Sequence, residues 1–221
     1  MIKLAPSILA ADFNVLGEQI KTIEEAGVPY LHIDVMDGNY VSSISFGTPV
    51  IKSIRKNTKL VFDVHLMVID PIRLLEGFAE AGADIITVHA EACVDLLATV
   101  LKIKEMGLKA GVSLNPETSL EELNHVIKEV DMVLLMSVEP GAGGQLFIPH
   151  TLNKIRELRK LANEASVEID IEVDGGITTD NVMDVLEAGA NVIVSGTSIF
   201  RGDILANIDS YKKEFDRYGK R

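Results

Sequence analysis

Tryptophan is absent, cysteine occurs once, and aromatic residues make up only 5% of the 221 residues. A core so poor in rings must be aliphatic, which suits strands buried on both faces. The single cysteine, Cys93, excludes an intrachain disulfide and is compatible with a reducing cytoplasm. Basic residues are also short: 21 Lys and Arg against 33 Asp and Glu give a net charge of −12. The basic footprint that nucleic acid or an anionic membrane requires is missing, so neither is expected as a partner. The same field repels small anions, so any anionic ligand needs a site with its own positive potential. Charges interrupt every apolar run before it reaches membrane-spanning length. The start, Met1 to Pro6, lacks the apolar stretch of a secretion signal. A cytoplasmic protein is expected.

What is present is ordinary globular composition, 47% hydrophobic and 24% charged, in a length that suits one domain spanning 1–221. Its punctuation repeats. Ala26-Gly27, Ala81-Gly82, Met106-Gly107 and Ala188-Gly189 each end a helical pattern, and a β-type run follows. Glycine in that place is the left-handed cap from which a chain turns into a strand. The four glycines are separated by close to two, one and three units of about 27 residues, and the chain holds about eight such units, the number in a (β/α)8 barrel. No sequence copy recurs, which argues against a solenoid.

Strands are expected near 2–8, 29–35, 59–66, 84–89, 108–114, 132–137, 167–173 and 191–195. Helices are expected near 13–26, 48–56, 71–81, 94–106, 119–129, 150–164, 179–188 and 203–217. Caps are read at Asn14, Asp70-Pro71, Thr118 or Ser119, and Thr178 or Thr179. The strands are near-continuous apolar runs, as parallel strands covered by helices should be. The competing fold, an open doubly wound sheet, wants a Gly-rich turn after the first strand, and Pro6-Ser7-Ile8-Leu9 is not one.

Barrel chemistry sits at the C-terminal ends of the strands, and the unusual residues gather there. His32 and Asp34 are two apart and share a face, with Leu31, Ile33 and Val35 on the other. His65, between Val64 and Leu66, is aimed inward by the same parity, and Asp174 ends the seventh strand. Two histidines and two carboxylates at one mouth make a mixed N/O set suited to one divalent metal: Zn, Fe, Co or Mn. A single inward histidine is as readily a hydrogen-bonded core residue, but four such groups buried together need a metal or substrate to compensate them. His89 is a candidate for the pocket wall, Glu91 and Cys93 for loop or helix-start positions, and His125 and His150 for the surface.

Glycines form a second constellation: Gly141, Gly143 and Gly144, with Ala142 among them, then Gly175-Gly176, then Gly196-Thr197, after consecutive strands. Backbone amides free of side chains can wrap a phosphate. None of these loops carries Lys or Arg, so the backbone would do most of the binding. Met36, Met67 and Met136 at strand ends are either core filler or an apolar collar over reacting carbons.

At these residues the chain resembles the ribulose-phosphate 3-epimerase family over nearly its whole length. The resemblance is carried by Ala5 to Phe13, His32-Ile33-Asp34-Val35-Met36-Asp37-Gly38, Asp63-Val64-His65-Leu66-Met67, Leu135 to Val138, Gly143-Gly144-Gln145 and Glu172 to Gly176. It implies that His32, Asp34, His65 and Asp174 hold one divalent metal and that Asp34 and Asp174 are the two acid/base groups. It also implies that Ser7 contacts the sugar, with His65 beside it, that Gly141 to Gly144, Gly175-Gly176 and Gly196-Thr197 bind the phosphate, and that the chain forms a homo-oligomer. There are departures. Where the family usually has Asn-Pro-Gly-Phe-Gly-Gly, this chain has Glu139 to Gly144 with Ala142 for Phe. The usual His-Phe-Val-Pro-Asn is Asn39-Tyr40-Val41-Ser42-Ser43, and the usual Gly-Ser is Gly196-Thr197.

The reaction implied is epimerisation of D-ribulose 5-phosphate and D-xylulose 5-phosphate, in the pentose phosphate pathway. The C3 proton passes through an enediolate, with the metal as Lewis acid. D-allulose 6-phosphate is the alternative substrate on the same scaffold. A metal-dependent hydrolase would need a water-activating base and a leaving-group site. A phospho-sugar-binding barrel would not need two carboxylates.

Overall fold

In a computed structural model the described residues are 2–220. Eight parallel strands follow one another: β1 (Lys3–Pro6), β2 (Tyr30–Met36), β3 (Val61–Met67), β4 (Ile85–His89), β5 (Lys109–Leu114), β6 (Met132–Met136), β7 (Asp170–Asp174) and β8 (Val192–Ser195). From β2 to β8 each pairs with its neighbour in sequence, and β8 pairs with β1. A parallel bridge between Ser7 and His32 joins β1 to β2 and completes the barrel. The helices are α1 (Leu16–Glu25), α2 (Thr48–Arg55), α3 (Leu75–Ala81), α4 (Leu96–Glu105), α5 (Thr151–Glu164), α6 (Val182–Ala188), α7 (Thr197–Phe200) and α8 (Ile204–Gly219). None of them is long and apolar enough to cross a membrane.

The (β/α)8 barrel expected from the spacing is the fold observed. All four cap glycines have positive φ. At Gly82, with φ of +104°, a Cβ would also come within 2.5 Å of the Arg55 side chain. That side chain instead runs on to the carbonyls of Thr58 and Leu60. The glycine therefore serves both the turn and the packing of the preceding helix.

Four details differ. The span 119–129 is not an α-helix. It is a 3-10 turn over Leu120–Leu123 followed by turns. Leu123, Val126, Ile127 and Val130 are buried at helical spacing. The amides of Asn124, Val126 and Glu129 nevertheless reach back only three residues, so no continuous i→i−4 ladder forms. Residues 71–81 divide into a 3-10 turn over Pro71–Arg73 and α3. Helix starts at 13 and 179 move to Leu16 and Val182. Asn14 instead binds Asp12 through its amide, and Asn181 receives the Thr178 amide. Ser119 does cap its turn, accepting from the Glu121 amide. The short helix α7, directly after β8, was not expected.

Two cores flank the sheet. Outside it, Leu31, Ile33 and Val35 pack with Ile51, Ile54 and Leu75 of the helices. Inside it, Tyr30, Ile85, Met132 and Val192 fill the lower end. Alternation along the strands then stacks His32, Asp34 and Met36 above Tyr30, and Asp63, His65 and Met67 above Val61. The apolar layer at the bottom places the polar layers at the mouth.

Candidate active site

His32, Asp34, His65 and Asp174 converge. Each offers one ligand atom, and these atoms lie within 4.8 Å of one another, so the four form a group that could hold a metal ion. Strand register explains the convergence: Asp34 stands opposite His65 across β2 and β3, and Asp174 ends β7 opposite Met136. His32 Nε2 lies 3.2 Å from Asp34 Oδ1 and 3.8 Å from Asp174 Oδ2. His65 Nδ1 lies 3.1 Å from Asp34 Oδ1. Ser7 Oγ donates to Asp34 Oδ2 at 2.5 Å.

The donor set fits a divalent cation. His32 Nε2 is buried and has no hydrogen-bond partner of good geometry, although it points at two carboxylates. An orphaned nitrogen costs free energy unless something fills the gap. Two imidazole nitrogens and two carboxylate oxygens suit Zn, Fe, Co or Mn.

The two carboxyls are ionised differently. Burial opposes charge on Asp34, but the charge of the His32 ring beside it and the hydrogen bond with His65 outweigh burial and hold its carboxyl far below the usual range. Burial and then the Asp34 charge push Asp174 up to about 7. Burial also opposes charge on His32, yet the carboxylates of Asp34, Asp63 and Glu172 raise it well above an ordinary histidine.

Asp63 and Glu172 form a deeper layer that the sequence reading passed over. Asp63 Oδ2 is 2.8 Å from His32 Nδ1, and Glu172 Oε1 is 3.5 Å from the same nitrogen. Both carboxyls are fully buried. Burial and the Asp63 charge raise Glu172 well above the ordinary carboxylate range. The signal was available: Asp63 precedes His65 by two, and Glu172 precedes Asp174 by two, the same parity that aimed the ligands inward.

A cavity of about 240 Å³ opens above this cluster. Asp34, Asp174 and Ser7 reach it, as do Met36, Met67 and Met136, Gly141, Ala142, Gly143, Gly144, Gly175, Gly196 and Thr197. Among the described residues no Lys or Arg lines it. His32 and His65 are fully buried beneath its floor and do not line it. Gly176 lies behind the wall, where a Cβ would stand 2.3 Å from the Phe147 amide nitrogen. His89 is also fully buried, behind His65 rather than on the wall, and burial brings it down to about 4. Glu91 lies in a 3-10 turn that Cys93 closes, and His125 and His150 are exposed.

The model of the ribulose-phosphate 3 epimerase family matches residues 3–200. The chain belongs to the ribulose-phosphate 3-epimerase family. Ribulose-phosphate 3-epimerase of Synechocystis sp. is 51% identical over 201 residues, 90% of this chain and 87% of that protein. The Bacillus subtilis protein of the same name is 49% identical over 201 residues, 90% and 93% of the two chains. The Escherichia coli K12 protein is 45% identical over 213 residues, 96% and 95%. This is a family of isomerases. Among solved structures, 3-keto-L-gulonate-6-phosphate decarboxylase from Vibrio cholerae superposes with a TM-score of 0.73 over 99% of this chain and 98% of that one. At 16% identity it shows the shared barrel alone.

Proposed function

We propose that this chain interconverts D-ribulose 5-phosphate and D-xylulose 5-phosphate by moving the proton at C3. The observation that carries the reading is the pair Asp34 and Asp174, on β2 and β7 at one cavity floor, with one carboxyl held ionised and the other drawn up to about 7. A base and an acid at the same pH are what proton exchange at a single carbon needs.

Asp34 takes the C3 proton from one face of the ketose, and Asp174 delivers a proton to the other. The reverse reaction exchanges their roles. Inversion at C3 follows from approach on two faces. Ser7, hydrogen-bonded to Asp34, fixes the carboxylate that faces the sugar. Met36, Met67 and Met136 exclude water around the enediolate. The backbone at Gly141 to Gly144, Gly175 and Gly196-Thr197 grips the phosphate, and Gly176 shapes the turn behind it. A divalent cation, Zn, Fe, Co or Mn, held by His32, Asp34, His65 and Asp174 supplies, when bound, electrophilic stabilisation of the negative charge that develops on substrate oxygens. The proposal includes a single domain over 1–221, a cytoplasmic location and a homo-oligomer. The single cysteine, which can form no intrachain disulfide, supports the location, and exposed Val94, Leu97 and Leu101 on and beside α4 support self-association.

The test is exchange in D₂O with the zinc-loaded protein, offering ribulose 5-phosphate and allulose 6-phosphate separately. Ala142, small and on the cavity wall where the family usually has Phe, leaves space for a longer sugar and makes the second substrate worth offering. Deuterium at C3 accompanied by xylulose 5-phosphate, faster than exchange into allulose 6-phosphate, is expected. Binding of either sugar phosphate without exchange would leave a binding barrel in place of an enzyme.

A further inference from the structure

Behind His65 a line of hydrogen bonds leads from the cluster to the loop between β2 and α2. His65 turns Nδ1 toward Asp34 and Nε2 toward His89, whose Nε2 is 2.8 Å away. The planes of the two rings are 24° apart. His89 Nδ1 lies 2.9 Å from the Tyr40 hydroxyl. That oxygen accepts from Asn115 Nδ2 at 2.9 Å and donates to Glu91 Oε2 at 3.4 Å. Both rings are fully buried, so bulk water does not stand in for a missing partner.

Imidazole chemistry gives this line a direction. A neutral ring has one N–H and one lone pair, and a contact between two ring nitrogens needs one of each. For His65 to offer its Nδ1 lone pair to a cation, its proton must sit on Nε2. His89 must then accept at Nε2, which places its own proton on Nδ1, facing Tyr40. The Tyr40 oxygen accepts that proton and the Asn115 amide hydrogen, and its hydroxyl hydrogen goes to Glu91. Every donor meets an acceptor in this one arrangement.

We propose that His89 and Tyr40 are positioning residues for the metal centre, holding His65 in the tautomer that presents Nδ1 to the cation and tying the β2–α2 loop to that ring. The inference rests on the four-ligand reading above. The loop also meets the phosphate side of the cavity: Val41, next to Tyr40, occupies the space that a Cβ on Gly141 would need, 2.8 Å away. Tyr40 stands where the family usually has Phe, so the hydroxyl end of the line belongs to this chain.

Long-range ¹H–¹⁵N correlations on the zinc-loaded protein, with its 5 histidines ¹⁵N-labelled, read the tautomers directly. His65 protonated at Nε2 and His89 protonated at Nδ1 are expected, and His89 protonated at Nε2 overturns the proposal. Zinc affinity, measured by competition with a chromophoric chelator, is the second readout. His89→Leu should weaken binding by about 10- to 100-fold. His89→Gln, whose amide oxygen can accept from His65, should recover most of the loss. Tyr40→Phe, the family's usual residue, should leave the fold intact and weaken zinc binding by a smaller factor than His89→Leu, since Glu91 Oε2, 3.4 Å from His89 Nδ1, still faces that nitrogen. A folded His89→Leu protein with unchanged zinc affinity refutes the relay. If that variant does not fold, the tautomers of the unaltered protein decide. An unaltered protein that takes up no zinc refutes the four-ligand reading instead.

Discussion

Asp63 Oδ2 stands 2.8 Å from His32 Nδ1, across the β2–β3 pairing that sets the two residues side by side. The contact anchors one nitrogen of the ring and leaves the other facing Asp34 and Asp174. An aspartate that binds nothing at the cavity surface therefore aims a residue that faces the chemistry.

Asp63→Leu should accordingly weaken zinc binding by about 10- to 100-fold, since the ring loses its anchor. Glu172→Gln should change it little, because burial and the Asp63 charge already disfavour the ionised form of Glu172 and the amide keeps its shape. Chelator competition on both variants checks the contrast. Equal losses would mean that the deeper layer acts only through its total charge.

Asp34→Asn and Asp174→Asn should each lower turnover by at least about 10²- to 10⁴-fold, the usual worth of a positioned acid or base. Exchange of the C3 proton into D₂O is the measurement. Near-normal exchange in a zinc-replete Asp34→Asn protein would remove Asp34 from its role.

Zinc binding should depend on pH more steeply below about 7 than above it. Asp174, drawn up to about 7, carries a proton below that pH, and the cation must displace it. The affinity should fall by one extra factor of about ten per pH unit on the acid side. The same slope from pH 5.5 to 8.5 would contradict the raised carboxyl.

The raised carboxyl also has a stability cost, with a definite sign. A carboxyl whose folded pKa lies above the unfolded value of 3.8 favours folding at low pH and loses that contribution as pH rises through about 7. The metal-free Asp174→Asn protein should therefore be more stable than the unaltered one at pH 8, by about 4 kcal/mol at most. The gain should vanish by pH 4. Urea unfolding in the presence of EDTA at both values tests it.

Gly176→Ala should destabilise the fold by about 1–3 kcal/mol. Its φ is +65°, and a Cβ would press on the Phe147 backbone, which cannot yield as a flexible side chain could. Thermal unfolding measures the loss. Weaker binding of inorganic phosphate would report displacement of the adjoining Gly175 turn.

Much of this molecule is written locally. Glycine caps at a period of about 27 residues, apolar strands and the absence of long apolar stretches determine a (β/α)8 barrel, because each depends on a few neighbouring residues. Two-residue alternation likewise determines that His32, Asp34 and His65 face inward. Where local pattern competes with packing, as at 119–129, the apolar stripe is read correctly and the helix is not.

The tertiary structure alone decided the rest. Ionisation of Asp34 against protonation of Asp174 depends on burial and on charges from three strands, and no stretch of sequence contains both. The link from His65 through His89 to Tyr40 joins β3, β4 and the β2–α2 loop, residues 24 and 49 positions apart. The chain specifies which groups point into the barrel. Strand register, set by pairing between strands far apart in the sequence, decides which of them meet.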